Sequence, residues 1–280
     1  MEQAFRARAQ APGPAITDPV AAEAIRRFRA EHPDLALAPV TIVIPALDEE
    51  DAIGAVLERI PARACGLEVD TIVVDDGSRD RTGAIARGHG ARVVRRERNG
   101  GQGAAFQIGY RLAWDLGARY VVTLDADGQW DPADVPAVLA PVVAGEADFV
   151  LGSRVLGGAE SRDRVRRAGV RVFSTLVRLL TGVAVTDTSS GLRAMAAEIG
   201  VSVRQEQLQY QSSELLIGAI YGGWRIAERP VVMHARTAGA SKKGNNALYG
   251  YRYARAILRT WWRERRSPDR VRNGHAVDIP

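Results

Sequence analysis

Short apolar runs alternate with helical stretches over most of this chain, and this alternation constrains its fold more than any other feature. The predicted strands are VTIVIPA (40–46), TIVVDD (71–76), ARVVRR (91–96), YVVTLDAD (120–127) and FVLGSR (149–154). Helices are predicted between them at 49–60, 80–87, 102–116 and 132–143. Strands that alternate with helices form right-handed βαβ units, so the sequence predicts an α/β fold with a mainly parallel sheet.

The other segments divide the chain into three predicted regions. Residues 1–38 form an extension with one helix, since Asp18-Pro19 is typical of a helix start. The α/β domain covers 39–245 and continues with helices at 163–181 and 214–222, a loop or edge strand at 187–193, and a strand with an edge proline at 224–233. A basic amphipathic helix and tail follow at 246–280.

Composition and charge exclude several classes of protein. Cys65 is the single cysteine, so no intrachain disulfide can form. The sequence shows no secretory signal and no run of about 18 apolar residues, so we expect a cytoplasmic protein, soluble or peripheral to the inner face of the membrane.

The net charge is +5, but eleven Lys or Arg against two acids give residues 236–272 a balance of +9. This distribution indicates an anionic partner at the C-terminal end.

Acidic side chains follow several of the predicted strands. The acids are Asp48, Glu49, Asp75, Asp76, Asp125 and Asp127, which end the first, second and fourth strands. Because ligands of such sheets bind at the carboxyl ends of the strands, we expect these charges to converge on one edge. The string LDADGQWDP turns at Gly128, so both aspartates could bind one hard cation. The alternative is an Asx-turn that caps the next helix, although Asp131 already suits that role.

Other nucleotide-binding motifs are absent from the sequence. There is no P-loop and no Gly-x-Gly-x-x-Gly after the first strand, which argues against a P-loop NTPase and a dinucleotide-binding domain. The glycine-rich string NGGQGAAFQIGY (99–110) precedes a helix. It is either a ligand-binding helix N-terminus or a flexible turn.

The order of the motifs resembles glycosyltransferase family 2, and within it the dolichyl- or polyprenyl-phosphate hexose synthases. The resemblance covers about residues 40–245 and rests on PALDEE, VVDDGSRDRT, NGGQGAA, LDADGQWDP, LGSR, DTSSGLR and RTAGASKKG. It implies a GT-A (Rossmann-like) fold and inverting transfer from a UDP- or GDP-sugar with Mg²⁺ or Mn²⁺.

The resemblance also implies roles for individual residues. Pro45, Ala46, Glu49, Asp75 and Asp76 would line the nucleoside pocket, and the metal would be bound by Asp125, Asp127 and Gln129. Contacts to donor or acceptor phosphates are implied for Arg154, Arg166, Arg193, Arg236 and Lys242, and substrate contacts for Gly103 and Ser241. Two positions depart from the family pattern: Asp48 replaces an Asn, and Gln102 replaces a Lys of the glycine-rich loop. These departures affect the expected donor contacts but leave the aspartate pair intact.

The acceptor decides whether a general base is needed. A hydroxyl acceptor requires one within hydrogen-bond reach, and Asp187 and Glu214 are the candidates. A lipid phosphate is largely dianionic at neutral pH, so arginines such as Arg193 and Arg236 become more valuable than a carboxylate. We expect a polyprenyl phosphate. The alternatives are a hydroxyl on a polysaccharide, natural product or protein, and a nucleotide-sugar-binding protein without turnover.

The C-terminal segment has a pattern of its own. Arg252, Arg255, Arg259 and Arg263 follow helical spacing, and Leu248, Tyr251, Ala254, Leu258, Trp261 and Trp262 are predicted on another face. Such a helix either lies on an anionic membrane surface or packs its aromatic face on the domain. A nucleic-acid partner would leave the acids at the sheet edge unexplained and is not expected.

The aspartate spacing yields a first prediction. Replacing Asp127 by Ala should abolish metal-dependent donor binding and leave the fold intact, because it removes one of two carboxylates that share the ion. Calorimetric titration of UDP and GDP with and without Mn²⁺ measures this. Unchanged turnover of the variant in added Mn²⁺ would contradict it.

Overall fold

The computed structural model describes residues 16–160, 164–236 and 246–266. These residues form an α/β fold with a central eight-stranded sheet. The strands β1–β8 are Val40–Ala46, Arg63–Ala64, Leu67–Asp75, Arg92–Arg95, Tyr120–Thr123, Phe149–Ser153, Arg193–Ala196 and Ile226–Pro230. The helices α1–α10 are Pro19–Glu31, Ile53–Glu58, Thr82–Gly88, Gln102–Asp115, Val135–Val143, Arg154–Gly157, Arg164–Thr181, Ala197–Ser202, Gln211–Tyr221 and Asn246–Arg266.

The sheet is mainly parallel, as predicted. Its order is β2-β3-β1-β5-β7-β6-β8, and β4 also pairs with β3. The pairs β1–β3, β1–β5, β3–β4 and β6–β8 are parallel, whereas β7 runs antiparallel to both of its neighbours. The carboxyl ends of β1, β3 and β5 therefore meet at one edge of the sheet.

Apolar layers cover both faces of the sheet. Alternate residues of β1 serve the two layers, since Ile42 and Ile44 belong to the cluster under α2, α3 and α5, and Val43 belongs to the cluster with α4, α9 and α10. A third cluster joins α1 to the sheet and α4 through Ala21, Ala24, Phe28, Ile72, Val74, Val94 and Ile108. Both terminal helices thus share apolar clusters with the central domain.

Several predicted boundaries were confirmed and one was wrong. Asp18 caps α1 by accepting a hydrogen bond from the Val20 amide at 2.9 Å, and β1 has the predicted limits. The helix predicted at 49–60 begins only at Ile53, because Asp48 has a φ of 48° and is tied to the loop after β3. The loop alternative for 187–193 is confirmed, because residues 187–192 form no helix or strand and the interior strand β7 starts only at Arg193.

The C-terminal helix packs on the domain with a face other than the predicted one. Tyr253, Ala256, Ile257 and Thr260 are buried, and Trp261 donates a hydrogen bond to the Leu180 carbonyl at 2.9 Å. The outward face carries both apolar and basic side chains, namely Leu248, Tyr251, Leu258, Trp262, Arg252, Arg255 and Arg259. The predicted separation of arginines from aromatic residues was therefore wrong.

Candidate active site

An open pocket of about 810 Å³ lies at the carboxyl ends of β1, β3 and β5. One end is lined by residues that follow these strands and by the start of α4, namely Pro45, Ala46, Glu49, Asp76, Asn99, Gly101, Gln102, Asp125, Asp127 and Gln129. The other end is lined by Arg154, Ser189, Arg193, Tyr210, Ser212, Leu248, Tyr249, Arg252 and Tyr253. The predicted convergence of acids at this edge is therefore found for Glu49, Asp76, Asp125 and Asp127.

Asp125 and Asp127 lie side by side in this pocket, beyond the end of β5. Asp125 accepts hydrogen bonds from the Gln102 side chain at 3.0 Å and the Trp130 indole at 3.1 Å. Asp127 accepts one from the Gln129 backbone at 3.0 Å, which forms an Asx-type turn, while its other oxygen contacts Arg236 at 2.7 Å. The helix-capping role falls to Asp131, which accepts from the Ala133 amide at 2.9 Å.

The electrostatics of this pair favour a cation. Burial raises the pKa of Asp127 to about 6, helped by the charges of Asp125 and Glu49 and opposed by the Gln129 amide and Arg236. The Arg236 guanidinium lies between Asp127 and Glu49, with Nη1 3.6 Å from the Glu49 carboxylate. A guanidinium therefore stands where these carboxylates attract positive charge.

The donor atoms suit a hard divalent cation. Carboxylate oxygens are the ligands that Mg²⁺ and Mn²⁺ prefer. Gln129 lines the same pocket, and its side-chain nitrogen donates to the His234 carbonyl at 3.4 Å, which keeps the side-chain oxygen for another partner. Within the described ranges no three His, Cys, Asp or Glu side chains form a metal-binding group. An ion here would use the two aspartates and complete its shell with other oxygens.

Asp76 joins β3 to the glycine-rich loop before α4. Its carboxylate accepts hydrogen bonds from the Gly100 amide at 3.0 Å and the Gly101 amide at 2.8 Å, and it contacts the buried Arg96 guanidinium. Burial raises the pKa of Asp76, although these three donors oppose the shift. The glycine-rich loop thus binds a carboxylate of the protein and places Asn99 and Gln102 in the pocket wall.

Two predicted contact residues do not line the pocket. Asp75 is fully buried and accepts hydrogen bonds from the Ser78 amide at 2.8 Å and from Arg95 at 2.6 Å. Gly103 packs against another loop, since its amide donates to the Leu208 carbonyl at 2.8 Å and a Cβ would lie 2.1 Å from the Gln207 carbonyl oxygen. Both positions therefore serve the fold of the pocket wall.

The two predicted bases also lie outside the pocket. The Asp187 carboxylate forms a bidentate ion pair with Arg154, in which it accepts hydrogen bonds at 2.6 and 2.9 Å. Glu214 accepts hydrogen bonds from the Glu206 and Gln207 amides at 2.8 and 2.7 Å and from Arg263 at 2.8 Å. Burial raises the pKa of Glu214, with these donors opposing it. Neither carboxylate is exposed at all, so the structure contradicts a general-base position for both.

The end of the pocket away from Asp76 is basic and aromatic. Arg193, 1 % exposed, donates to the Ser212 hydroxyl at 3.1 Å, and its Nε and Nη1 atoms have no hydrogen-bond partner among the described residues. Arg154 and Arg252 line the same end. Sequence reasoning missed Tyr249, Arg252 and Tyr253 as pocket residues, although their helical spacing places them on adjacent turns. The Arg166 side chain and residues Ser241 and Lys242 lie outside the described parts of the chain.

Gly191 provides a test of the aspartate geometry. A Cβ at this position would lie 2.0 Å from Asp125 Oδ2 and 2.6 Å from Trp130 Nε1. Gly191→Ala should therefore displace Asp125 and weaken Mn²⁺-dependent binding of UDP or GDP by about 10- to 100-fold, the usual effect of disturbing the contacts that orient a metal ligand. Calorimetric titration measures this, with Gly88→Ala as the control because nothing lies within 4 Å of the added methyl group. Binding at the unmodified protein's level would contradict the arrangement.

Comparison with known proteins agrees with this geometry. Residues 41–199 match the family described as glycosyl transferase family 2. The chain is 37 % identical over 203 residues to a dolichyl-phosphate hexose transferase of Haloferax volcanii, covering 72 % of this chain and 86 % of that protein. It is 30 % identical over 242 residues to a UDP-N-acetylglucosamine–dolichyl-phosphate N-acetylglucosaminyltransferase of Methanococcus voltae, with 78 % and 94 % covered.

A solved structure shares the fold. Glucosyl-3-phosphoglycerate synthase of Mycobacterium tuberculosis, in complex with Mn²⁺, UDP-glucose and glycerol 3-phosphate, matches with a TM-score of 0.58 at 25 % identity, covering 90 % of this chain and 85 % of that one. The expected GT-A fold is confirmed by such neighbours. This chain belongs to glycosyl transferase family 2 and is a glycosyltransferase.

Proposed function

We propose that this enzyme transfers a hexose, with inversion, from a UDP- or GDP-sugar to a polyprenyl phosphate. The distribution of charge in the pocket carries this proposal. Among the described residues that line it, the four acids cluster at one end, where Arg236 lies between Asp127 and Glu49. Arg154, Arg193 and Arg252 lie at the other end, and the charge of Arg154 is paired there with Asp187. The acidic end suits a cation and a nucleoside diphosphate, and the cations of Arg193 and Arg252 suit an anionic acceptor.

The donor would occupy the acidic end. Pro45, Ala46, Glu49 and Asp76 would hold the nucleoside, and Asp125, Asp127 and Gln129 would hold Mg²⁺ or Mn²⁺. When bound, the ion would offset the charge that develops on the leaving diphosphate. The Methanococcus voltae relative is named for a UDP-sugar donor, and the Mycobacterium tuberculosis structure contains Mn²⁺ with UDP-glucose. Both support a donor of this class.

A phosphate acceptor fits the other end of the pocket better than a hydroxyl. Its second pKa is near 6, so at neutral pH it is largely deprotonated and needs no general base. Two Arg193 nitrogens have no hydrogen-bond partner in the described parts of the chain, and phosphate oxygens would supply the missing acceptors. With Asp187 and Glu214 held in ion pairs outside the pocket, a hydroxyl acceptor would lack the base it requires.

The outward faces of α7 and α10 support a peripheral contact with an anionic membrane. The helices lie side by side, with Phe173 and Tyr253 in edge contact at 4.5 Å. None of the described helices is both long and apolar enough to cross a bilayer. The two outward faces expose five apolar side chains (Val172, Leu179, Tyr251, Leu258 and Trp262) and eight arginines (Arg167, Arg171, Arg178, Arg252, Arg255, Arg259, Arg265 and Arg266).

This two-helix face, defined by those side chains, lies next to the pocket. Leu248, Tyr249 and Arg252, from about the first two turns of α10, line the pocket. Apolar side chains among arginines are the composition of a surface that lies on anionic lipid. A lipid phosphate would then enter from the membrane beside α10.

The acceptor class is tested with a short-chain polyprenyl phosphate. Replacing Arg193 by Met should lower kcat/KM for this acceptor by about 10- to 100-fold, because a charged hydrogen bond contributes about 1.5–3 kcal/mol. Binding of the nucleotide should stay unchanged. Arg63→Met is the matched control, because Arg63 is exposed and lies outside both the pocket and the face formed by α7 and α10. Transfer to glycerol 3-phosphate but not to the lipid phosphate would instead favour the hydroxyl-acceptor alternative.

Membrane attachment is tested by flotation with phosphatidylglycerol vesicles. The triple variant Arg171→Gln, Arg255→Gln and Arg259→Gln should reduce partitioning roughly 100-fold, since each arginine near an anionic surface contributes about 1 kcal/mol. Raised salt should have the same effect. The control replaces Arg26, Arg63 and Arg81, which are exposed elsewhere. An equal loss of vesicle binding in both triple variants would contradict a specific membrane-binding face. Equally strong binding to vesicles made only of phosphatidylcholine would contradict it as well.

A further inference from the structure

Asp18, in the segment before the family domain, has two partners. Its Oδ1 atom caps α1 through the Val20 amide at 2.9 Å. Its Oδ2 atom accepts a hydrogen bond from Arg96 Nη2 at 2.6 Å, 78 positions along the chain. The family match begins only at residue 41, so α1 lies outside it. The helix cap is therefore joined directly to the loop that follows β4.

Arg96 connects this cap to the pocket. Its side chain is 3 % exposed and lies between the carboxylates of Asp18 and Asp76, with Nη1 donating to Asp76 Oδ1. Its backbone amide donates to the Asp75 carbonyl at 2.8 Å, which holds the residue at the end of the sheet. A buried guanidinium with two carboxylate partners has one preferred orientation, because losing either partner leaves buried donors unsatisfied.

The glycine-rich loop rests on the Arg96 guanidinium. A Cβ on Gly100 would lie 1.8 Å from Arg96 Nη1, so only glycine permits this approach. The Gly100 and Gly101 amides donate to Asp76, and Asn99, Gly101 and Asp76 all line the pocket. The orientation of Arg96 thus determines the position of the Asp76 carboxylate and of the glycine-rich loop beside it.

We infer that Asp18 is a positioning residue of the donor site: through Arg96 it orients Asp76 and the 99–101 loop, which makes α1 part of that site. The inference rests on the proposed function for its donor, a nucleoside diphosphate. Without Asp18, one end of the guanidinium loses its acceptor inside the protein and the side chain can rotate away from Asp76. The nucleoside pocket would then lose its defined wall, while the aspartate pair that faces the diphosphate stays in place.

Helix α1 is also attached at a second place, which provides a matched control. Arg27 pairs with Glu97 at 2.8 Å and donates to the Arg95 carbonyl at 2.8 Å, without touching Arg96. Breaking this attachment loosens the same helix from the same loop. Asp18→Ser keeps a good helix cap but is too short to reach Arg96, so it removes the positioning contact alone.

The test compares Asp18→Ser with Arg27→Ala in the full chain. Calorimetric titration with UDP and with GDP, each with Mn²⁺, should show about fivefold to tenfold weaker binding for Asp18→Ser and an unchanged Kd for Arg27→Ala. The donor KM should rise in parallel, while kcat at saturating donor stays within about twofold. Thermal midpoints of both variants show whether they lose comparable stability.

A second measurement needs no nucleotide. Hydrogen exchange at the Gly100 and Gly101 amides should become faster in Asp18→Ser and stay unchanged in Arg27→Ala, because these amides donate to Asp76. Unchanged protection and unchanged Kd in Asp18→Ser would overturn the inference, as would an equal loss of affinity in Arg27→Ala. If protection falls as expected but the unmodified protein binds neither nucleotide, the positioning contact stands and the proposed donor fails.

Discussion

Charge balance at the carboxyl edge of the sheet is the constraint on which the rest of the structure depends. Burial raises the pKa values of Asp76, Asp127 and Glu214, so their ionised forms are stable only beside a cation or several hydrogen-bond donors. Arginines from separate parts of the chain supply the charge: Arg96 for Asp76, Arg236 for Asp127, and Arg263 for Glu214. An unpaired buried charge would cost several kcal/mol, so each of these acids depends on the arginine that contacts it.

The same pairing separates structural acids from those that face the pocket. Asp187 and Arg154 satisfy each other, and the Arg154 backbone, the Ser189 hydroxyl and the Ser189 amide complete the contact. Asp127 and Asp76 keep a surface in the pocket, where a ligand can reach them. A carboxylate at a strand end is therefore not by itself a site residue. What distinguishes the pocket acids is that part of their surface stays open to a ligand.

Much of the fold could be predicted because its signals are local. Strand and helix periods, the cap at Asp18 and the turn at Gly128 are properties of a few neighbouring residues. Predictions failed where a remote contact intervened. Asp48 adopts a left-handed backbone conformation and is hydrogen-bonded to Ser78 and Arg79, so α2 begins later than predicted. The four-residue strand β7 was not predicted, and it is interior because β5 and β6 pair with it on either side.

The sequence by itself determined which segments along the chain become the main parallel strands and which acids follow them, because strand periodicity and motif spacing act over short stretches of chain. Only the tertiary structure decided which acids face the ligand. Asp75 and Asp76 are neighbours, yet successive side chains of an extended chain point to opposite sides, so one is buried against Arg95 and the other lines the pocket. The partners of Asp18 and Asp127 lie 78 and 109 positions away. Such pairs form only when the sheet and its helices have packed, since packing alone brings these residues together.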